Sequence, residues 1–167
     1  MKRYTISLDG GDIDAAIANL TERKLWVKRK TEELCRRLVE IGVTKARLEF
    51  ARAIYKGNDN VTVTSDGKGT KYTVRANGEA VLFIEFGSGI RYGSGHPANA
   101  EYGMGPGTWS DGPQGKGHWN DPDGWYLPKE KGGGHSYGNP PAMAMYGSVQ
   151  YLKNNLERIA REVFSTD

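Results

Sequence analysis

Cysteine is nearly missing from this chain of 167 residues: Cys35 stands alone, so no intrachain disulfide can form. That excludes the disulfide-stapled class of small secreted scaffolds and fits a reducing cytoplasm. Cys35 falls on a helical pattern, so its thiol is expected to be buried or half-buried. Long apolar runs are missing too. No stretch approaches the roughly 20 apolar residues of a membrane span, and Met1-Lys2-Arg3-Tyr4 is not followed by a signal core. The expectation is a soluble protein with no membrane partner. Only 37% of residues are hydrophobic and the mean hydropathy is -0.64. More than half of the 23 glycines lie between Gly87 and Gly138, which accounts for the low values. The two ends have ordinary core-forming patterns, and the length suits one domain over 1–167 with a modest core.

Strong charge of either sign is also lacking. The net charge is +3. The basic excess is concentrated at Arg23, Lys24, Lys28, Arg29, Lys30, Arg36, Arg37, Lys45, Arg47 and Arg52, interleaved with Glu22, Glu32, Glu33, Glu40 and Glu49. One reading is a solvated helix face with i,i+4 pairs. Another is a face turned toward DNA or an acidic partner.

Tyr4 to Leu8 alternates as a short strand, and Asp9-Gly10-Gly11 reads as a turn. A long helix follows, capped at Gly11 or Asp12. Its apolar series is Ile13, Ile17, Leu20, Val27, Leu34, Leu38 and Ile41, with Lys24 and Thr31 in the two missing places. This four-and-three spacing is a heptad seam. Gly42 is expected to end the helix, and Val43 to Tyr55 to form a second one burying Ala46, Phe50, Ala53 and Ile54. Lys56 to Asn60 is a turn. Val61 to Ser65 and Lys71 to Ala76 are paired strands joined through Asp66-Gly67-Lys68-Gly69, and Asn77-Gly78 turns the chain again.

Ala80 to Phe86 is the most apolar run and holds one carboxylate, Glu85. Its length fits a buried strand or one buried helical face. It stops at Gly87-Ser88-Gly89, where a Gly- and aromatic-rich loop of about 88–139 begins. The last helix is expected to start near Asn139, with Asn139 as its cap and Pro140 at the first position. Met145, Val149, Leu152, Leu156, Ile159 and Val163 form its apolar series, suited to lying against the first helix. The fold class is α+β: a helix at each end packed on a small, mostly antiparallel sheet.

The loop carries His96, His118 and His135, with Asp111, Asp121 and Asp123. No pair of them has a recognised metal-ligand spacing, so no metal or cofactor is expected. Gly87-Ser88-Gly89, Gly103-x-Gly105-x-Gly107 and Gly132-Gly133-Gly134 lack the residues that make a phosphate loop. Glu85 has two readings. It accepts backbone N–H groups from the Gly87–Gly89 turn or pairs with Arg91 or a neighbour's arginine. Alternatively it works as an acid or base with His96 or His118 in a small hydrolase or nuclease. Tyr92, Tyr102, Trp109, Trp119, Trp125, Tyr126 and Tyr137 alternate with Gly, Pro and polar residues. That pattern suits a protein contact surface; stacking on single-stranded nucleic acid would call for more cations among the rings. The rings can also simply pin the loop to its own sheet.

The order Glu85-Phe86-Gly87-Ser88-Gly89, variable loop, then Pro140-Pro141-Ala142-Met143-Ala144-Met145 resembles the tail-completion family (neck, or minor tail component) of long-tailed bacteriophages and prophages. His96-Pro97 also falls where such loops carry a His-Pro or similar pair. The resemblance covers the whole chain in order and length, although its motifs are short and this loop is longer and richer in Trp and Gly. It implies a non-enzymatic structural protein of the virion, made in the host cytoplasm and placed at the head–tail junction or the top of the tail. The implied partners are further copies of the chain in a sixfold ring around the DNA channel and neighbouring connector, tail-terminator or tail-tube proteins. Contact with channel DNA would be non-specific. On this reading the structural and interface residues are Glu85, Phe86, Gly87, Gly89, Trp109, Trp119, Trp125, Tyr126, Pro140 and Pro141.

Overall fold

The structure, a computed structural model, describes residues 10–55, 60–89, 91–92, 95–104, 121–126, 129 and 133–165. The expected strand at Tyr4–Leu8 lies outside them, as does most of the 56–60 turn. The chain is α+β. Helix α1 runs Gly10–Arg52, strands β1 (Thr62–Lys68) and β2 (Lys71–Asn77) form a hairpin, and the short helix α2 spans Val81–Phe86. A second small hairpin joins β3 (Trp125–Tyr126) to β4 (His135–Ser136), and α3 spans Ala144–Ser165.

The first helix is continuous over 43 residues, roughly 65 Å. Gly42 does not break it, and Gly10 and Gly11 belong to it and not to a turn. A mid-helix glycine costs about 1 kcal/mol against alanine. Here it marks the crossing with α3. A Cβ at Gly42 would lie 3.1 Å from Leu152 Cδ1, and the Gly42 carbonyl accepts a 3.0 Å bond from Ser148 Oγ. Gly42→Ala is therefore expected within about 1 kcal/mol of the parent, because helix propensity gains what a small shift of Leu152 loses. Gly42→Leu should cost about 1–3 kcal/mol by overpacking, measured by denaturant unfolding.

The core gathers Val43, Ala46 and Phe50 of α1, Val63 of β1, Ala80 and Ile84 around α2, and Ala144 of α3. Ala53 packs partly against it, but Ile54 points to solvent, correcting its predicted burial. Arg47 pins α1 to the hairpin by donating twice to the Val63 carbonyl, at 2.9 and 2.7 Å. The hairpin register pairs Val63 with Ala76 and Lys68 with Lys71, so Gly69-Thr70 makes the turn. Along α3 the buried positions are Ala144, Ser148, Ile159 and Val163, whereas Val149 and Leu156 of the predicted stripe are exposed. Arg37 bonds Glu162 at 2.6 Å and Trp26 meets Phe164 edge-on, so α3 covers α1 as far as Trp26. Cys35 is half-buried, as its helical position implied.

Burial raises the Tyr55 phenol above its ordinary value of 10. The unfolded chain then releases this proton first. Its contribution to stability is complete below about pH 10 and is lost as pH rises through the higher folded value. Alkaline unfolding titrations should show less of this fall in Tyr55→Phe, which has no proton to lose.

Candidate functional site

The apolar run resolves into helix. Val81–Phe86 forms one and a half turns, with Ile84 N–H bonding the Ala80 carbonyl at 2.9 Å. The last carbonyls of any helix lack an internal partner. In α2 the segment before α3 supplies the donors. Asn139 Nδ2 donates to Phe83 O at 2.8 Å, Ala142 N to Ile84 O at 2.8 Å, and Met143 N to Glu85 O at 3.2 Å. A strand would have needed a neighbouring strand; these three donors favour the helix instead.

The return half of this exchange corrects two expectations. Asn139 is not the cap of α3, which begins five residues later at Ala144. Nor does Glu85 bond the Gly87–Gly89 turn. Its carboxylate accepts Met145 N–H and Tyr146 N–H, both at 2.9 Å. These are first-turn donors that a local Ser, Thr, Asn or Asp would normally satisfy. Met143, the residue just before the helix, has no oxygen in its side chain and takes a positive φ of 53°. Glu85 caps α3 from α2, and its charge faces the positive end of that helix.

Three glycines let the two backbones approach. Ser88 N–H bonds Asn139 O at 3.0 Å, Ser88 Oγ donates to Asn139 Oδ1, and the pair forms an isolated antiparallel bridge. Cβ atoms at Gly87, Gly89 and Gly138 would fall 2.9, 2.5 and 1.9 Å from backbone oxygens of the opposite segment. Pro141 lies against Gly87, and both Pro140 and Pro141 are half-buried.

His96 closes the other side. Its Nδ1 accepts Ala98 N–H at 3.1 Å, so the proton of the neutral ring sits on Nε2. Nε2 lies 3.4 Å from Glu85 Oε1, beyond the usual N–H···O range, making this an electrostatic contact and not a hydrogen bond. The ring packs between Phe86 and Tyr146, with centroids 4.3 and 5.2 Å away, and Tyr102 covers Phe86 at 5.7 Å. Both members are closed off: the Glu85 side chain is 7% exposed and that of His96 2%. Part of the loop is thus pinned to its own body.

The other predicted residues divide. Phe86, Gly87 and Gly89 are buried with Glu85. Trp125 is buried, while its neighbour Tyr126 is 80% exposed. Tyr126 meets the His135 ring at 4.8 Å, His135 meets Tyr137 at 4.7 Å, and the Arg91 guanidinium covers Tyr137 at 3.6 Å. Trp109, Trp119, His118 and Asp111 lie outside the described residues. Among the described residues no three His, Cys, Asp or Glu side chains are grouped to hold a metal ion. No described helix is long and apolar enough to cross a membrane. Several cations of the basic helix are engaged within the fold: Arg36 with Glu40 at 2.7 Å, Lys45 with Glu49 at 2.6 Å, and Arg23 over Trp26.

Comparison of the chain with family models, curated proteins and solved structures finds no match.

The arrangement is a mutual capping device. It fixes the start of α3 and the start of the loop against one another, and it spends both carboxylate oxygens on backbone N–H groups. Residues 139–146 were missed as its second half because the contacts to Glu85 span about 60 positions.

Proposed function

We propose that this chain is a structural subunit of a phage or prophage particle, acting by protein–protein assembly at the head–tail junction or the top of the tail. The observation that carries the reading is the interlock. The two segments on which the resemblance rests, 85–89 and 140–145, meet through the Glu85 cap, and 85–88 also bond with 139–143. The loop therefore leaves and rejoins the body at one rigid point, as a contact arm would. Tyr102, Tyr126 and Tyr137 lie exposed on that excursion, where large rings with few rotatable bonds suit adhesion. The partners would be further copies in a ring and adjoining connector or tail proteins.

A hydrolase or nuclease built on Glu85 and His96 is the rival, favoured by their 3.4 Å approach. Against it, the carboxylate is already occupied by two N–H donors and neither side chain is open to solvent. Deleting the gene from its phage or prophage separates the two readings. The expected result is filled heads and tails that fail to join, or tails left unfinished, with rescue by the parent gene in trans. A normal yield of infectious particles would overturn the assembly reading.

A further inference from the structure

The β1–β2 hairpin keeps one open edge. Its two-residue turn, Gly69-Thr70, makes Lys68 and Lys71 a hydrogen-bonded pair. An antiparallel ladder alternates, so the N–H and C=O groups of Tyr72, Val74 and Ala76 point away from β1. The two bonds from Arg47 to the Val63 carbonyl show the same phase, since Val63 is the partner of Ala76. On β1 that outward carbonyl is taken by Arg47. Among the described residues nothing bonds the outward groups of Tyr72, Val74 and Ala76. Cover on the body side ends at the same place. Val63 is 3% exposed, whereas Tyr72, Val74 and Ala76, on the same face, are only half-buried.

We propose that this edge takes the segment Tyr4–Leu8 of a second copy as a third strand. Alternating donors and acceptors along a strand edge are matched in full by one kind of partner, another extended backbone. Tyr4-Thr5-Ile6-Ser7-Leu8 repeats the apolar–polar order of Tyr72-Thr73-Val74-Arg75-Ala76 residue for residue. Paired over its whole length, it sets Tyr4, Ile6 and Leu8 on the half-open apolar face and Thr5 and Ser7 on the exposed face of Thr73 and Arg75. Ile6 then stands opposite Val74. The segment carries no charge to oppose Lys71 or Arg75.

Reach makes the donor another copy. Gly69 lies against Glu32, and Val63 against Arg47, so the hairpin runs along α1 between these two points. The stretch of α1 from Gly10 to Glu32 is roughly 33 Å long. Tyr4 to Asp9, fully extended, spans about 20 Å. The segment therefore cannot lie along its own β2. The same helix carries it clear of its own body, since N-terminal to Trp26 no residue of α1 is buried. Donor and acceptor are different parts of the chain, so each copy has both to offer. The inference stands on the hairpin and on reach, and not on the assembly reading.

Sedimentation of the full chain over a concentration series tests the proposal. Self-association that reverses on dilution is expected. Ile6→Asp puts a charge into the apolar face of the donor. Val74→Pro removes an N–H that points away from β1, so the hairpin ladder keeps its bonds. Each should raise the dissociation constant about tenfold or more. Mixed together, the two variants should recover a complex, because the Val74→Pro copy still offers its segment and the Ile6→Asp copy its edge. Cross-linking gives an answer that does not depend on how proline is tolerated. Ile6→Cys protein mixed with Val74→Cys protein, both carrying Cys35→Ser, should yield the mixed disulfide over either homodimer. A monomer at every concentration, or self-association indifferent to Ile6→Asp, would overturn the proposal. So would homodisulfides formed as readily as the mixed one, or an intramolecular disulfide in a chain carrying both Ile6→Cys and Val74→Cys.

Discussion

Glu85→Ala should destabilise the protein by about 3–5 kcal/mol, the range for breaking a buried, hydrogen-bonded charge. The carboxylate is the acceptor for Met145 N–H and Tyr146 N–H, so its removal strands two donors at the start of α3. It also leaves a hole beside His96 and Phe86. Against the 5–15 kcal/mol by which typical domains are stable, that is a large share. Glu85→Gln keeps one acceptor oxygen and turns an N–H group toward the other donor, so about 1–3 kcal/mol is expected. Urea unfolding followed by far-UV dichroism measures both. A Glu85→Ala variant within about 1 kcal/mol of the parent would mean that water or another side chain replaces the cap, and the interlock would lose its central bond.

Gly138→Ala should be nearly as damaging, about 3–5 kcal/mol, for a different reason. Its φ of +99° is unfavourable for any residue with a Cβ. The added carbon would also sit 1.9 Å from the Ser88 carbonyl oxygen, which is backbone and cannot swing aside. The Ser88–Asn139 bridge has to open. Gly103→Ala separates the two causes: φ there is +63°, but a Cβ would meet nothing within 4 Å. Only the backbone penalty remains, about 1–2 kcal/mol. Equal losses at the two positions would show that close approach of the two segments contributes little.

Both variants bear on the assembly reading. If the loop is a contact arm, loosening its anchor should reduce particle yield at temperatures where the subunit itself still folds.

Much of the fold was legible because it rests on local pattern. The 3.6-residue periods of α1 and α3 and the strand–turn–strand composition of 61–76 are each specified within a few residues, although β1 runs on through Asp66, Gly67 and Lys68, which the sequence reading placed in the turn. Gly42 misled because glycine usually ends a helix, while here the Gly42 carbonyl and the missing side chain serve the crossing with α3. The apolar series of α3 was half right. Val149 and Leu156 continue the period but fall away from α1, whose crossing selects Ala144, Ser148, Ile159 and Val163.

The sequence by itself determined the α+β class, the two long helices, the hairpin and the special standing of Glu85 within an apolar run. Only the tertiary structure decided that this run is helical, that Glu85 and not Asn139 caps the last helix, and that α1 runs unbroken through Gly42. The physical reason is range. Periodicity and turn chemistry act between neighbours, whereas the donors for α2's carbonyls and the acceptor for α3's amides stand about 60 residues apart and meet only once the chain has folded.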